Sequence, residues 1–331
     1  MDFKEIKKAL EEHTIKPQPD RTILNAWKNE RNQHIEVKEF NTAKELIALI
    51  LKGLSPALII TGEGGIGKTH LTVEQIKANL KCEEWEYEAG YTTPLAFYKF
   101  LYAHRNKKLL ILDDVEGLFN DRKGIGILKN AFWDTDGKRL VFYDTTSDKL
   151  NIPSVFQLNA NLIVLCNKIE NKEDLNVSAL ISRALCYEVN FTYEQKVEIM
   201  KRLIQQKGLT PAQQETILRL IEKGTTIATK NFNLRTLEKV ISLVKYDPQQ
   251  AEALFKEIVE IDEAVLAFLE ISKNLTTEQV KIQQFKEKTG LSRATYFRLK
   301  KKYQSLIQNL HKTTTEGGNK NETRTATNTQ L

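Results

Sequence analysis

An apolar run, ALIIT (57–61), enters a glycine cluster, GEGGIG (62–67), and a helical pattern follows from Lys68 to about Leu80. With Lys68 and Thr69 the loop matches G-x-x-x-x-G-K-[ST] in full. Few features constrain a fold more, because a buried strand, a tight turn and a helix N-terminus must follow one another. Small residues let the backbone curl until its N–H groups converge on phosphate oxygens, and the helix adds its positive end. Lys68 is expected to reach the β- and γ-phosphates, and Thr69 to place its hydroxyl on Mg²⁺. Gly62, Glu63, Gly64, Gly65, Ile66, Gly67, Lys68, Thr69 and His70 are therefore expected to line a nucleotide site that takes ATP and Mg²⁺.

The apolar run KLLILDDV (108–115) ends in Asp113 and Asp114, as expected of a buried parallel strand. Carboxylates at that end of a strand face the crevice where open α/β sheets bind ligands. Asp113 is expected in the magnesium shell, and Asp114 to orient or deprotonate the attacking water, with Glu116 an alternative base. Further strand segments at 85–89, 139–143, 156–167 and 185–191 alternate with helical patterns, and from Thr192 onward only helical periodicity remains. The expected fold class is α/β: a P-loop parallel sheet, then a helical lid, then a small all-α module. The corresponding boundaries are a helical N-terminal arm 1–40, the α/β domain 41–191, the lid 192–247, a helical linker with a helix-turn-helix 248–304, and a disordered tail 305–331.

The formal charge is +6. Between Glu278 and Tyr303 eight basic residues face two acids, so this short segment accounts for the whole excess. Such asymmetry points to a local anionic partner, nucleic acid first, although a solvated lysine-rich helix has the same composition. Residues 276–304 read helix–turn–helix, with Gly290 in the turn and Ser292 as N-cap of the second helix. Val280, Ile282 and Phe285, then Ala294, Phe297 and Tyr303, are expected to face inward. Arg293, Thr295, Tyr296 and Arg298 are expected outward on DNA base edges, and Lys300, Lys301 and Lys302 on phosphates. The three cysteines, Cys82, Cys166 and Cys186, are too widely spaced for a zinc site and odd in number for a disulfide framework. No run approaches the roughly 18 apolar residues of a membrane span. The charged N-terminus has no signal-peptide apolar region, so a cytoplasmic or nucleoid-associated protein with no membrane partner is expected.

With both motifs placed, the chain resembles the AAA+ ATPases over roughly residues 40–247. The resemblance implies that Asn167, closing LIVLCN, is sensor 1, that Arg183 in ALISRAL is the arginine finger, and that Arg235 in NFNLRTLEKV is sensor 2. The family's acidic pair is usually Asp-Glu; Asp-Asp here leans towards the replication-initiator and helicase-loader branch and leaves slow hydrolysis open. An arginine finger acting on a neighbour's γ-phosphate implies self-association into a ring or filament. Residues 139–160 read as a hairpin with Ser147, Asp148 and Lys149 near its tip, either an ordinary edge hairpin or one that resembles the translocating hairpins of ring helicases. In the second case Lys149 touches the DNA backbone. The basic module resembles the helix-turn-helix of bacterial and phage DNA-binding proteins. Archaeal origin-recognition ATPases and the Holliday-junction branch-migration motor share the layout. Together these imply a Mg-dependent ATPase in DNA replication or remodelling, an initiator or helicase loader of a phage or plasmid kind. Its implied partners are duplex or single-stranded DNA and a replicative helicase. A ring helicase, a transposition-type ATPase forming filaments on duplex DNA, and a regulator that binds ATP with little turnover are the alternatives.

Overall fold

The computed structural model describes residues 21–29, 38–134, 136–144, 150–274, 276–304 and 306–307. The chain divides into two units, Met1–Ile199 and Met200–Leu331. In the first, the order is α1 (Arg21–Asn29), α2 (Asn41–Leu51), β1 (Ala57–Gly62), α3 (Lys68–Asn79), β2 (Trp85–Ala89), α4 (Pro94–Ala103) and β3 (Leu109–Asp113). Then come α5 (Arg122–Phe132), β4 (Leu140–Phe142), β5 (Val155–Gln157), β6 (Asn161–Cys166), α6 (Leu175–Ile181), β7 (Leu185–Val189) and the start of α7 (Tyr193–Gln206).

The fold class is α/β, as expected: five parallel strands in the order β2-β3-β6-β1-β7. β1 and β3 are buried along their whole length, which is why they read as unbroken apolar runs. Leu110, Leu112, Leu162 and Val164 pack with Phe97, Leu128, Phe132 and Leu180 in one core. Helix starts follow local chemistry. Thr93, Asp121 and Asp174 cap α4, α5 and α6 through their side-chain oxygens, and Pro94 occupies the first turn of α4.

The segment expected as one strand over 156–167 is two. The N–H groups of Asn159 and Ala160 both turn to the Arg105 carbonyl, at 2.9 and 3.2 Å, which breaks the ladder. β5 instead pairs antiparallel with β4, apart from the five-stranded sheet. Buried Arg139 pins the base of this hairpin by donating to the Ala131 and Asn159 carbonyls and to Asn161 Oδ1. Ser147, Asp148 and Lys149 lie outside the described residues, as do most of the N-terminal arm and the tail.

The second unit continues α7 and adds α8 (Pro211–Gly224), α9 (Leu234–Tyr246), α10 (Ala251–Ile258), α11 (Glu263–Lys273), α12 (Glu278–Thr289) and α13 (Arg293–Lys302). Capping boxes at Thr210 and Asn233 start α8 and α9. Phe268 on α11 meets Phe285 on α12 and Tyr296 on α13, with ring centroids 6.4 and 5.3 Å away, so these three helices share one core. No helix among the described residues is long and apolar enough to cross a membrane.

Candidate functional site

β1 ends at Gly62, whose φ of 153° is matched by its surroundings: a Cβ there would lie 2.4 Å from the Val189 carbonyl oxygen on β7. The loop closes at Gly67, left-handed at φ 93°, which is the N-cap of α3. No side chain caps that helix, an arrangement that suits an anion at the loop.

Lys68 opens α3 and is buried. Its Nζ donates to the Gly62 and Glu63 carbonyls at 2.8 and 3.0 Å and to Asn167 Oδ1 at 3.2 Å. The strand order explains the last contact. β6 runs between β1 and β3, so the residue that follows it, Asn167, stands between the glycine loop and the acids. The Asn167 carbonyl accepts from the Gly62 N–H at 3.2 Å, and its own N–H donates to Glu116 Oε1 at 2.8 Å. Asp113, the last residue of β3, is buried, and its Oδ2 accepts from Thr69 Oγ1 at 2.8 Å and from the Tyr87 hydroxyl at 2.7 Å. Asp114 is exposed in left-handed backbone at φ 52°, with its N–H on the Leu165 carbonyl at 3.1 Å.

Burial holds the Lys68 ammonium below its usual pKa, against the opposing pull of Cys166 and the acids Asp113, Asp114 and Glu116. Burial likewise raises Asp113, while its bonds from Tyr87 and Thr69 act the other way. The Tyr87 phenol is pushed up, first by burial and then by its bond to Asp113. Cys166, behind Asn167, is raised to about 12, chiefly by burial.

The residues fit both implied groups. Thr69 and Asp113 offer adjacent hard oxygen donors, which suits Mg²⁺. Among the described residues no group of three or more His, Cys, Asp or Glu could hold a metal. A magnesium here would therefore share its shell with phosphate oxygens and water, its common habit in nucleotide sites. The glycine loop, the open helix N-terminus and Lys68 supply donors for a polyphosphate.

Other sequence-derived residues are placed differently. Ile66 is buried beneath the loop, and a Cβ on Gly64 would approach Asn167 Oδ1 to 3.4 Å. Gly65 is left-handed at φ 75°, His70 is exposed, and Glu63 forms an ion pair with Lys196. Arg183 follows α6 and turns its guanidinium back to the Ala179 carbonyl of that helix. Arg235 is the second residue of α9 in the other unit, its N–H held by Asn233 Oδ1 at 2.9 Å. Tyr87 was not anticipated. Its signal was the alternation in WEYEA, which puts Trp85 and Tyr87 on one face of β2, but nothing in the sequence pairs that face with Asp113.

On α13 the expected faces need correction. Tyr296 is 2% exposed and belongs to the core with Phe268, Phe285 and Leu299, whereas Phe297 is 39% exposed and Ala294 is exposed too. Val280 on α12 is likewise exposed. The phase of α13 is set by Tyr296, Leu299 and Tyr303, at helical spacings of three and four, which turn Arg293, Ala294, Phe297, Arg298 and Lys301 outward. Thr295 is half-buried, its N–H capped by Ser292 Oγ. Lys300 pairs with Glu278 on α12, and Lys302 lies over the Tyr303 ring at 5.2 Å. Tyr296→Ala should accordingly lower the stability of the second unit by about 3 kcal/mol, read as a drop in its melting temperature, whereas Arg298→Ala should leave melting unchanged.

No family model matches the chain. An uncharacterized 36.7 kDa protein from the nrdC-mobD intergenic region of Enterobacteria phage T4 is 25% identical over 219 residues, 60% of this chain. The chain spans 66% of the length of that curated relative. Among solved structures, it is similar to domain III of the Thermotoga maritima replication initiation protein DnaA, at 20% identity and a TM-score of 0.46, covering 73% of this chain and 98% of that one. It is also similar to AMPPCP-bound DnaA from Aquifex aeolicus, at 16% identity and a TM-score of 0.44, covering 89% and 91%. A Thermotoga maritima RuvB mutant matches at 15% identity and a TM-score of 0.42, covering 77% and 81%.

Proposed function

We propose that the chain is an ATP-binding and ATP-hydrolysing protein of the AAA+ type that binds DNA through α12 and α13 and acts in replication or DNA remodelling, as an initiator or helicase loader. One observation carries the reading: Lys68, Thr69, Asp113 and Asn167 converge at the C-terminal ends of β1, β3 and β6. In this reading Lys68 holds the β- and γ-phosphates against the loop amides. Magnesium held by Thr69 and Asp113 would supply positive charge to the phosphate. Asn167 orients the γ-phosphate and the water, whose proton passes to a carboxylate of Asp114 as its oxygen bonds to phosphorus and the bridge to ADP breaks. Arg183 and Arg235 are assigned as finger and sensor 2 by chain position alone, and a finger acting on a neighbouring copy makes the working unit a ring or filament.

DNA binding rests on the outward face of α13, where Arg293, Arg298 and Lys301 surround Ala294 and Phe297. Removing residues from 277 onward would strip Phe285 and Tyr296 from Phe268, so single charge changes are the cleaner probe. Lys301→Ala should weaken duplex binding and lower the slope of affinity against salt by about one.

The test of the whole reading is ATP turnover by the full chain alone, with duplex DNA and with single-stranded DNA, using Lys68→Ala as the blank. Stimulation by either DNA is expected, and the preferred form separates a duplex remodeller from a helicase. A second reading, a nucleotide-gated switch, draws support from Glu116, whose Oε1 is committed to the Asn167 N–H at 2.8 Å. Tight ATP binding with turnover flat in all three conditions would replace the motor with that switch.

A further inference from the structure

Helix α1 is anchored on the edge strand β2, and one of its contacts leads through Tyr87 to Asp113. Lys28, buried on α1, donates to the Trp85 carbonyl at 2.6 Å and to Glu86 Oε1 at 3.4 Å, and sits 4.7 Å from the centre of the Trp85 ring. One residue earlier, Trp27 meets Trp85 edge-on at 6.2 Å and Tyr87 at 5.1 Å. Trp27 also takes the ammonium of Lys77, 4.9 Å from its centroid. Lys77 belongs to α3, the helix that begins with Lys68 and Thr69. Tyr87, in turn, donates to Asp113 Oδ2 at 2.7 Å, the same oxygen that Thr69 contacts.

Among the described residues, the packing around α1 is partly open. A cavity of about 240 Å³ remains beside it, lined by Asn29, Leu80, Cys82 and Glu83 among others, and Ile23 on the same helix is 74% exposed. Trp27 and Lys28 tie the helix to β2. Trp27 touches both structures that frame the site: β2, through the tyrosine that restrains Asp113, and α3, through Lys77. An aromatic ring packed against a phenol fixes the direction of its hydroxyl, and a hydroxyl bonded to one carboxylate oxygen fixes the plane of that carboxylate.

We propose that α1 positions the Asp113 carboxylate through Trp27 and Tyr87, so that the segment before the sheet sets how readily the site takes magnesium with its nucleotide. Tyr87 and Trp27 are positioning residues, and the proposal rests on the reading of Asp113 as a magnesium-shell residue. It predicts a split that a merely structural role would not produce. Nucleotide held by Lys68 and the loop amides without magnesium is indifferent to α1; the magnesium requirement is not.

The experiment titrates a fluorescent non-hydrolysable ATP analogue onto the full chain, once in EDTA and once over a magnesium series. Tyr87→Phe keeps the ring and removes only the hydroxyl. It should raise the magnesium concentration for half-maximal binding about ten- to a hundredfold and leave the affinity in EDTA unchanged, the usual cost of removing a group that orients a metal ligand. Trp27→Ala should act in the same direction. The double variant should do no more than Tyr87→Phe alone, because both changes break one path. Trp27→Phe, which keeps an aromatic ring on Tyr87, should behave as wild type. Equal losses in EDTA and in magnesium would reduce α1 to a stabilising element and overturn the proposal, as would an unchanged magnesium midpoint in Tyr87→Phe. A wild-type chain that binds no nucleotide in either condition would sink the underlying nucleotide reading as well, which separates the two failures.

Discussion

Lys68→Ala should weaken ATP binding by at least about a hundredfold. The ammonium is buried among three acceptors, the Gly62 and Glu63 carbonyls and Asn167 Oδ1, and it stands among the acids Asp113, Asp114 and Glu116. With a polyphosphate in the loop, the same donors would meet phosphate oxygens. A hydrogen bond to a charged group contributes about 1.5–3 kcal/mol, so losing one or two gives a factor of about ten to about twenty thousand. Leaving the acids without their cation beside a polyanion pushes the loss toward the upper end. The fold should tolerate the change, because the variant also relieves the cost of holding a charge in a buried place, the same cost that lowers the Lys68 pKa. Calorimetric titration with a non-hydrolysable ATP analogue, beside a thermal melt, reads both quantities. Retained affinity in a folded variant would remove Lys68 from the phosphate site and with it the main support for nucleotide chemistry.

How far the sequence carried differs from element to element, for physical reasons. β1, the glycine loop and α3 were legible because the chemistry of the loop forces strand, turn and helix to be contiguous, so one short segment specifies all three. The acid strand was legible because burial on both faces leaves an unbroken apolar run that can end only where solvent or a ligand begins. The break between β5 and β6 was not, since it depends on the Arg105 carbonyl, which belongs to a turn some fifty residues earlier in the chain. The phase of α13 differs in kind, because its signal is local: Tyr296, Leu299 and Tyr303 recur at helical spacings and bury against Phe268, whereas Phe297 repeats at that spacing only with Ala294. Tyr87 and Asp113 illustrate the limit of distant pairing at the site. Their approach follows from the β2–β3 register, in which Ala89 lies opposite Asp113 and Tyr87 opposite Ile111. No local pattern encodes that register. The strand–loop–helix order is encoded in one short segment, whereas what two distant segments encode together appears only in the fold.

The base is where these levels meet. Asp114→Asn should leave nucleotide binding near wild type and cut ATP turnover by about 10²- to 10⁴-fold, the usual contribution of a positioned proton acceptor. The substitution is unusually clean because Asp114 sits in left-handed backbone at φ 52°, a region asparagine tolerates as well as aspartate does, so the change removes charge without adding strain. Alanine there would add a backbone cost and blur the result. Glu116→Gln is the natural comparison. Its Oε1 already accepts the Asn167 N–H at 2.8 Å, and a glutamine oxygen can keep that bond, so Asn167 stays in place while the charge is lost. If Asp114 is the base, Glu116→Gln should lose about tenfold or less. The reverse pattern, turnover intact in Asp114→Asn and collapsed in Glu116→Gln, would move proton transfer to Glu116. Asn167 would then be held by the base itself, so its backbone N–H would orient the group that activates the water.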